Sequence, residues 1–167
     1  MRLEYFQLID RIVALDVDGR TVTVHAKVPQ ASTIFEGHFP GYPLMPGVLL
    51  IESMAQTSGW LIIGLTKFER MPFLAGVREA KFRAPVLPGQ DLALTARIIH
   101  EGSGFTITRA AIEAEGKAVA ESELTFRLAP FPHPSFRAWM EQLAAAISFP
   151  GMVPMTAAPA AEPAPGK

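Results

Sequence analysis

His38 and Glu52 are the two residues of this chain whose types and surroundings could do chemistry. Each is ionisable and has an apolar neighbour, His38 in Gly37-His38-Phe39 and Glu52 in Ile51-Glu52-Ser53. An imidazole titrates near neutrality and suits proton abstraction, while a carboxyl set in an apolar wall can hold its proton and act as an acid. Together they make an acid/base pair. Neither is specific alone, because a lone His or a lone buried Glu is more often structural. Their setting adds weight. Gly37, Gly41 and Gly47 permit close backbone approach, and a helix starting at Gly47-Val48 would present unpaired N–H groups at its positive end. A developing oxyanion would be stabilised there. Gln56 lies one turn beyond Glu52 on the same helix face, placed either to orient the carboxyl or to satisfy a polar neighbour. His25, His100 and His133 lack an acidic or glycine-rich context and read as ordinary strand or surface residues. No second ligand stands at a helical or finger spacing from His38, so no metal site is expected.

The elements that must position these residues are legible from pattern. Ile12 to Asp16 and Thr21 to Val28 are rich in Val and Ile, with Asp18-Gly19 between them as a hairpin signal. Glu36 to Gly47 is dense in Gly and Pro and reads as a shaped loop, since Pro removes donors and fixes φ. From Pro46 to about Lys67 the chain is apolar almost all round and predicts a long helix buried on most sides. Its length approaches a membrane span, but Glu52, Ser53, Gln56, Thr57 and Ser58 make its first half too polar for lipid. Phe73 to Phe82, Asp91 to Glu101, Phe105 to Glu115 and Lys117 to Leu128 predict an antiparallel meander. Two strands, one buried helix and four more strands give an α+β layout, a sheet curled around a single helix. After Leu128, Pro130, Pro132 and Pro134 break the chain. Ser135 is expected to cap a short helix through about Ser148, within a C-terminal extension at 130–149 that follows a domain at 1–129. The Ala/Pro-rich tail at 150–167, above all Pro154 to Lys167, is expected to be disordered.

Composition excludes several classes. A chain of 167 residues with 49% hydrophobic content suits one domain with a real core. A net charge of −1, from 15 basic and 16 acidic residues, provides no global field for nucleic acid or an anionic membrane. The absence of Cys removes disulfides, thiolate metal sites and a cysteine nucleophile, and fits a cytoplasmic setting. Glu4, Asp10 and Arg11 interrupt the apolar core that a signal peptide would need, so the first residue is expected to belong to the fold.

The run Gly37-His38-Phe39-Pro40-Gly41-Tyr42-Pro43-Leu44-Met45-Pro46-Gly47-Val48-Leu49-Leu50-Ile51-Glu52-Ser53-Met54-Ala55-Gln56 resembles the signature of the 3-hydroxyacyl-acyl-carrier-protein dehydratases of the FabZ type. Phe73-Leu74-Ala75-Gly76-Val77, followed by Lys81 to Gly89, resembles the family's next stretch in order and spacing, and the likeness runs from about Leu8 to Leu128. It implies the hotdog fold, with the sheet wrapped around the long helix, and a homodimer with active sites at the subunit interface; whether dimers assemble further, as in a trimer of dimers, it leaves open. It also implies roles. His38 falls on the catalytic histidine, Glu52 on the catalytic glutamate supplied by the partner subunit, and Gly47 with Val48 on the thioester-binding amides. The reaction implied is dehydration of a (3R)-3-hydroxyacyl chain on an acyl carrier protein to the trans-2-enoyl thioester, with no cofactor beyond the substrate's phosphopantetheine. Glu at position 52, where related isomerising dehydratases carry Asp, favours simple dehydration.

Val48, Met45, Leu50, Met54, Phe73 and Leu74 are candidates for an acyl tunnel, although apolar residues on a buried helix are core by default. Arg70, Arg78, Lys81 and Arg83 concentrate positive charge that could meet an acidic carrier protein and its phosphopantetheine phosphate, or form a solvated strand edge. Only the final Asp-Arg of the family's usual N-terminal lead-in is kept, at Asp10-Arg11. With the C-terminal extension, this suggests a specialised relative serving a dedicated acyl chain or a lipid pathway separate from bulk fatty-acid synthesis. The competing readings share the fold: a hydratase or thioesterase acting on acyl-coenzyme A, or a non-catalytic acyl-carrier binding subunit. The glycine-rich His38 loop argues against a thioesterase, and the presence of both His38 and Glu52 against a binding subunit.

Overall fold

Alternation of side chains decides the architecture. The computed structural model describes residues 1–152, so the predicted disordered tail from Pro154 lies outside the described residues. Six strands, β1 (Arg11–Asp16), β2 (Thr21–Lys27), β3 (Met71–Phe82), β4 (Asp91–Gly102), β5 (Phe105–Ala114) and β6 (Lys117–Ala129), form one antiparallel sheet in the order β1-β2-β4-β5-β6-β3. Successive strand residues point to opposite faces, so residues two apart share a face. Val22, Val24 and Ala26 of β2, Leu92, Leu94 and Ala96 of β4, and Ala110, Ile112 and Ala114 of β5 are accordingly buried on one face. The register aligns Val24, Leu94, Ile112 and Ala120 into one row across four strands.

That row is the bed of α2 (Gly47–Leu65), the long apolar helix. By length and composition alone α2 could cross a membrane, but here the sheet wraps it and its apolar sides are core. Its hydroxyls are satisfied inside: Ser53 donates to the Leu49 carbonyl at 2.8 Å, Thr57 to Ser53 at 2.8 Å, and Thr108 of β5 to the Ser58 hydroxyl at 2.9 Å. These bonds let polar groups enter the core without the desolvation cost of unpaired ones. The result is the α+β hotdog architecture.

Two local readings differ from expectation. The segment predicted as loop from Glu36 begins within a short helix, α1 (Thr33–Gly37), because Ser32 caps it by accepting from the Ile34 N–H at 3.2 Å. The C-terminal helix α3 (Pro134–Ala146) is capped not by Ser135 but by His133, whose Nδ1 accepts from the Ser135 N–H at 3.2 Å. Pro134 occupies the first turn, where its missing N–H costs nothing. The chain then returns to the core through Phe149, which packs edge-on against Phe68, at 5.4 Å, and tilted against Trp60, at 6.0 Å.

The N-terminus is part of the fold, as expected. The Met1 ammonium pairs with Asp10 and donates to the Lys27 carbonyl at 3.0 Å. A short 3-10 turn at Leu3–Tyr5 seats Leu3 in the core.

Candidate active site

His38 stands where α1 stops, its N–H closing on the Ile34 carbonyl at 3.0 Å. The loop after it is held by backbone pairs: Phe39 and Tyr42 exchange bonds of 3.1 and 2.9 Å, Leu44 N–H reaches the His38 carbonyl at 2.8 Å, and Met45 N–H reaches Val86 at 2.8 Å. The imidazole stacks on Phe39 at 4.2 Å, and its Nδ1 lies 3.1 Å from the Leu44 carbonyl. A carbonyl only accepts, so Nδ1 carries a proton, and in the neutral ring Nε2 is the nitrogen with the lone pair. That is the tautomer a general base needs.

The cleft in front of His38, about 370 Å³, is lined by Leu44, Met45, Gly47, Leu50 and Phe82 among others. At its floor α2 begins without a side-chain cap. Leu49 and Leu50 N–H groups bond the Pro46 carbonyl at 3.0 and 3.2 Å, which leaves the Gly47 and Val48 N–H groups without an acceptor among the described residues. Two free donors on a positive helix end form a seat for a carbonyl oxygen gaining charge. A Cβ on Gly47 would lie 3.1 Å from the Phe82 ring, so glycine here lets the ring close over the helix start. Sequence reasoning assigns Phe82 no role, because nothing local links it to a helix start far away along the chain.

Glu52 is placed elsewhere. It is half-buried on α2, and its Oε1 accepts from Gln56 Nε2 at 3.1 Å. Gln56 is itself tied to the N-terminal segment, donating to the Phe6 carbonyl at 2.7 Å and accepting from the Leu8 N–H at 3.1 Å. Glu52 faces two adjoining cavities, neither of which includes His38. Among the described residues, none of these three cavities is lined by both His38 and Glu52.

The remaining sequence-predicted residues divide. Met45 and Leu50 are buried against the His38 cleft, and Leu74 of β3 edges a cavity of Glu52. Met54 is enclosed in the core. Val48 is 71% exposed and Phe73 47% exposed, both at the surface. Arg70, Arg78, Lys81 and Arg83 are strung along β3 and its ends, and Lys81 and Arg83 both pair with Glu121 of β6. His25 pairs with Asp91 at 2.9 Å, and His100 stacks on Phe105. Among the described residues no three His, Cys, Asp or Glu side chains converge as a metal site would require.

Comparison with known proteins adds ancestry to this geometry. The family described as FabA-like domain matches residues 2–123. The 3-hydroxyacyl-(acyl-carrier-protein) dehydratase FabZ of Streptococcus thermophilus is 37% identical over 124 residues, 72% of this chain and 85% of its own length. FabZ of Syntrophotalea carbinolica is 38% identical over 127 residues, 75% of this chain and 86% of its own. Among solved structures, the conserved protein PA5202 from Pseudomonas aeruginosa superposes with a TM-score of 0.60 at 24% identity, covering 75% of this chain and 91% of its own. The E. coli PaaI protein from the phenylacetic acid degradation operon superposes at 0.56 with 17% identity, covering 71% and 79%. At these identities the two structures share the fold alone.

Proposed function

This chain belongs to the FabA-like family, and from that premise we propose that it is a dehydratase converting (3R)-3-hydroxyacyl chains on an acyl carrier protein to trans-2-enoyl thioesters, in fatty-acid or a specialised lipid biosynthesis in the cytoplasm. The observation that carries the reading is His38, with Nδ1 committed to Leu44 and Nε2 without a partner among the described residues, lining the same cleft as Gly47. The thioester carbonyl rests on the Gly47 and Val48 N–H groups. His38 Nε2 takes the proton from the α carbon, and the electron pair of that C–H bond becomes the new double bond. The β carbon–oxygen bond breaks as Glu52 protonates the departing hydroxyl, and water leaves. One proton is taken and one given, so no redox partner is called for.

Because Glu52 and His38 of one chain face separate cavities, the pair is completed across a dimer. Strand β3 supports this arrangement. It bonds only β6, so its outer edge is unpaired among the described residues, and it exposes Phe73, Leu74 and Val77. An unpaired edge with an exposed apolar stretch of this kind favours pairing with a second copy. Glu52 of each subunit would then face His38 of the other.

The test is incubation of the purified protein with 3-hydroxyacyl substrates on acyl carrier protein and, separately, on coenzyme A, following the mass loss of water. His38→Ala and Glu52→Gln should each lower turnover by about 10²–10⁴-fold. No dehydration by the folded protein on either carrier, across short and long chains, overturns the reading.

A further inference from the structure

The N-terminal segment is tied to both members of the proposed acid/base pair. On one side, Glu4 Oε1 accepts from the Ser32 hydroxyl at 2.7 Å, from the Thr33 N–H at 3.2 Å and from the Thr33 hydroxyl at 3.5 Å. A hydroxyl has one proton to give and lone pairs to spare. With its proton on Glu4, Ser32 Oγ accepts from the Ile34 N–H at 3.2 Å. The Ile34 carbonyl in turn accepts from the His38 N–H at 3.0 Å. A chain of bonds thus runs from the Glu4 carboxylate through Ser32 and Ile34 to the backbone of the proposed base.

The element in between cannot hold its own shape. α1 has five residues, far below the length of about 12–15 at which an isolated helix becomes even marginally stable. Buried Phe35 anchors it to the core, and its orientation about that anchor is left to its ends. Among the described residues, Glu4 makes every hydrogen bond between α1 or its cap and the N-terminal segment. That segment is itself stiff. Arg2 and Gln7 exchange backbone bonds of 2.7 and 3.1 Å, the Phe6 N–H closes on Leu3 at 3.1 Å, and Leu3 and Leu8 are fully buried. Its far end holds Gln56 by the Phe6 carbonyl and the Leu8 N–H, and Gln56 holds Glu52.

We infer that Glu4 is a positioning residue for His38, and that the N-terminal segment is a strut that sets His38 and Glu52 of one subunit from a single piece of chain. The inference rests on the dehydratase reading and its dimer, in which those two residues serve different active sites. Glu4 meets no reacting atom. It fixes where α1 ends, and so where the imidazole stands relative to the Gly47 and Val48 N–H groups.

Glu4→Ala frees the cap. A shift of about half an ångström at His38 should lower kcat by about tenfold, with KM little changed, and Glu4→Gln, which keeps an acceptor oxygen in place, should recover most of the loss. Amide hydrogen exchange of His38 in the full chain, followed by NMR, should quicken in Glu4→Ala by a larger factor than that of Leu61 in α2. Mixed dimers separate positioning from a general loss of stability. A His38→Ala chain paired with a Glu52→Gln chain leaves one complete site, whose histidine comes from the Glu52→Gln chain. Glu4→Ala placed in that chain should lower the recovered turnover by about tenfold, and placed in the His38→Ala chain by clearly less. Equal losses from the two placements, an unchanged kcat, or His38 exchange that quickens no more than that of Leu61 overturns the inference. Selective quickening at His38 in a protein whose wild type dehydrates nothing on either carrier upholds the tether and overturns the reaction.

Discussion

At the scale of single residues, the chemistry depends on tethers rather than on unusual groups. In the proposed reaction His38 depends on the Leu44 carbonyl, which holds one ring nitrogen. Glu52 depends likewise on Gln56, which reaches from α2 to the backbone of Phe6 and Leu8. Gln56→Ala should therefore act twice. The buried Leu8 N–H loses its acceptor, which costs about 1–3 kcal/mol of stability, and Glu52 loses its orientation, which lowers kcat more than it changes KM. Thermal unfolding and steady-state kinetics on the same preparation separate the two effects, and an unchanged kcat would show that Gln56 does not position the carboxyl. That Gln56 shares a helix face with Glu52 is legible from their spacing. Its bonds to residues far earlier in the chain are not, because a side-chain amide carries no mark of its tertiary partner.

At the scale of elements, the strands and α2 were readable because burial on one face or all round imposes a period that composition displays. Caps were harder. Ser135 looks like the better N-cap by residue type, yet Pro134 is best accommodated inside the first turn, which moves the cap back to His133. The N-terminal segment is tied to α1 by Glu4, which accepts from Ser32 Oγ at 2.7 Å and from the Thr33 N–H at 3.2 Å. The Ser32 hydroxyl, with its own backbone and Thr33, holds the Glu4 carboxyl below the usual glutamate range. A group with a depressed pKa in the folded state stabilises above its unfolded pKa, and that contribution is lost as pH falls through the folded value. The difference in melting temperature between wild type and Glu4→Gln, present near pH 7, should accordingly shrink in acid below the ordinary glutamate range. A second test concerns Gly64 of α2, where a Cβ would lie 2.9 Å from the Phe149 ring and 3.1 Å from Leu15. Ala normally gains about 1 kcal/mol over Gly in a helix, whereas overpacking costs about 1–3 kcal/mol. With Phe149 wedged against Trp60 and Phe68, the clash should win and Gly64→Ala should melt lower than wild type.

At the scale of the whole molecule, the separation of His38 and Glu52 into different cavities is the feature with most consequence. If each site draws one residue from each subunit, a His38→Ala chain and a Glu52→Gln chain can complement each other. Random mixing of the two inactive variants should restore roughly a quarter of wild-type turnover, since half the dimers are mixed and each holds one intact site. Unfolding and refolding the variants together, followed by the dehydration assay, would show this. Failure of the mixture to recover activity, with dimers present, would place both residues in one subunit's site.

The sequence by itself determined the order of strands and helix, the shaped loop and the ionisable residues proposed to move protons. Period, turn chemistry and side-chain type are local properties, and each leaves its trace within a few residues. Tertiary structure decided which groups face one another. It put Phe82 over Gly47, tied Gln56 to the N-terminal backbone, parted Glu52 from His38, and enclosed a cavity beneath α3 with residues from both ends of the described chain. These are meetings between distant segments, set by how the sheet curls around one helix, and no local pattern encodes them.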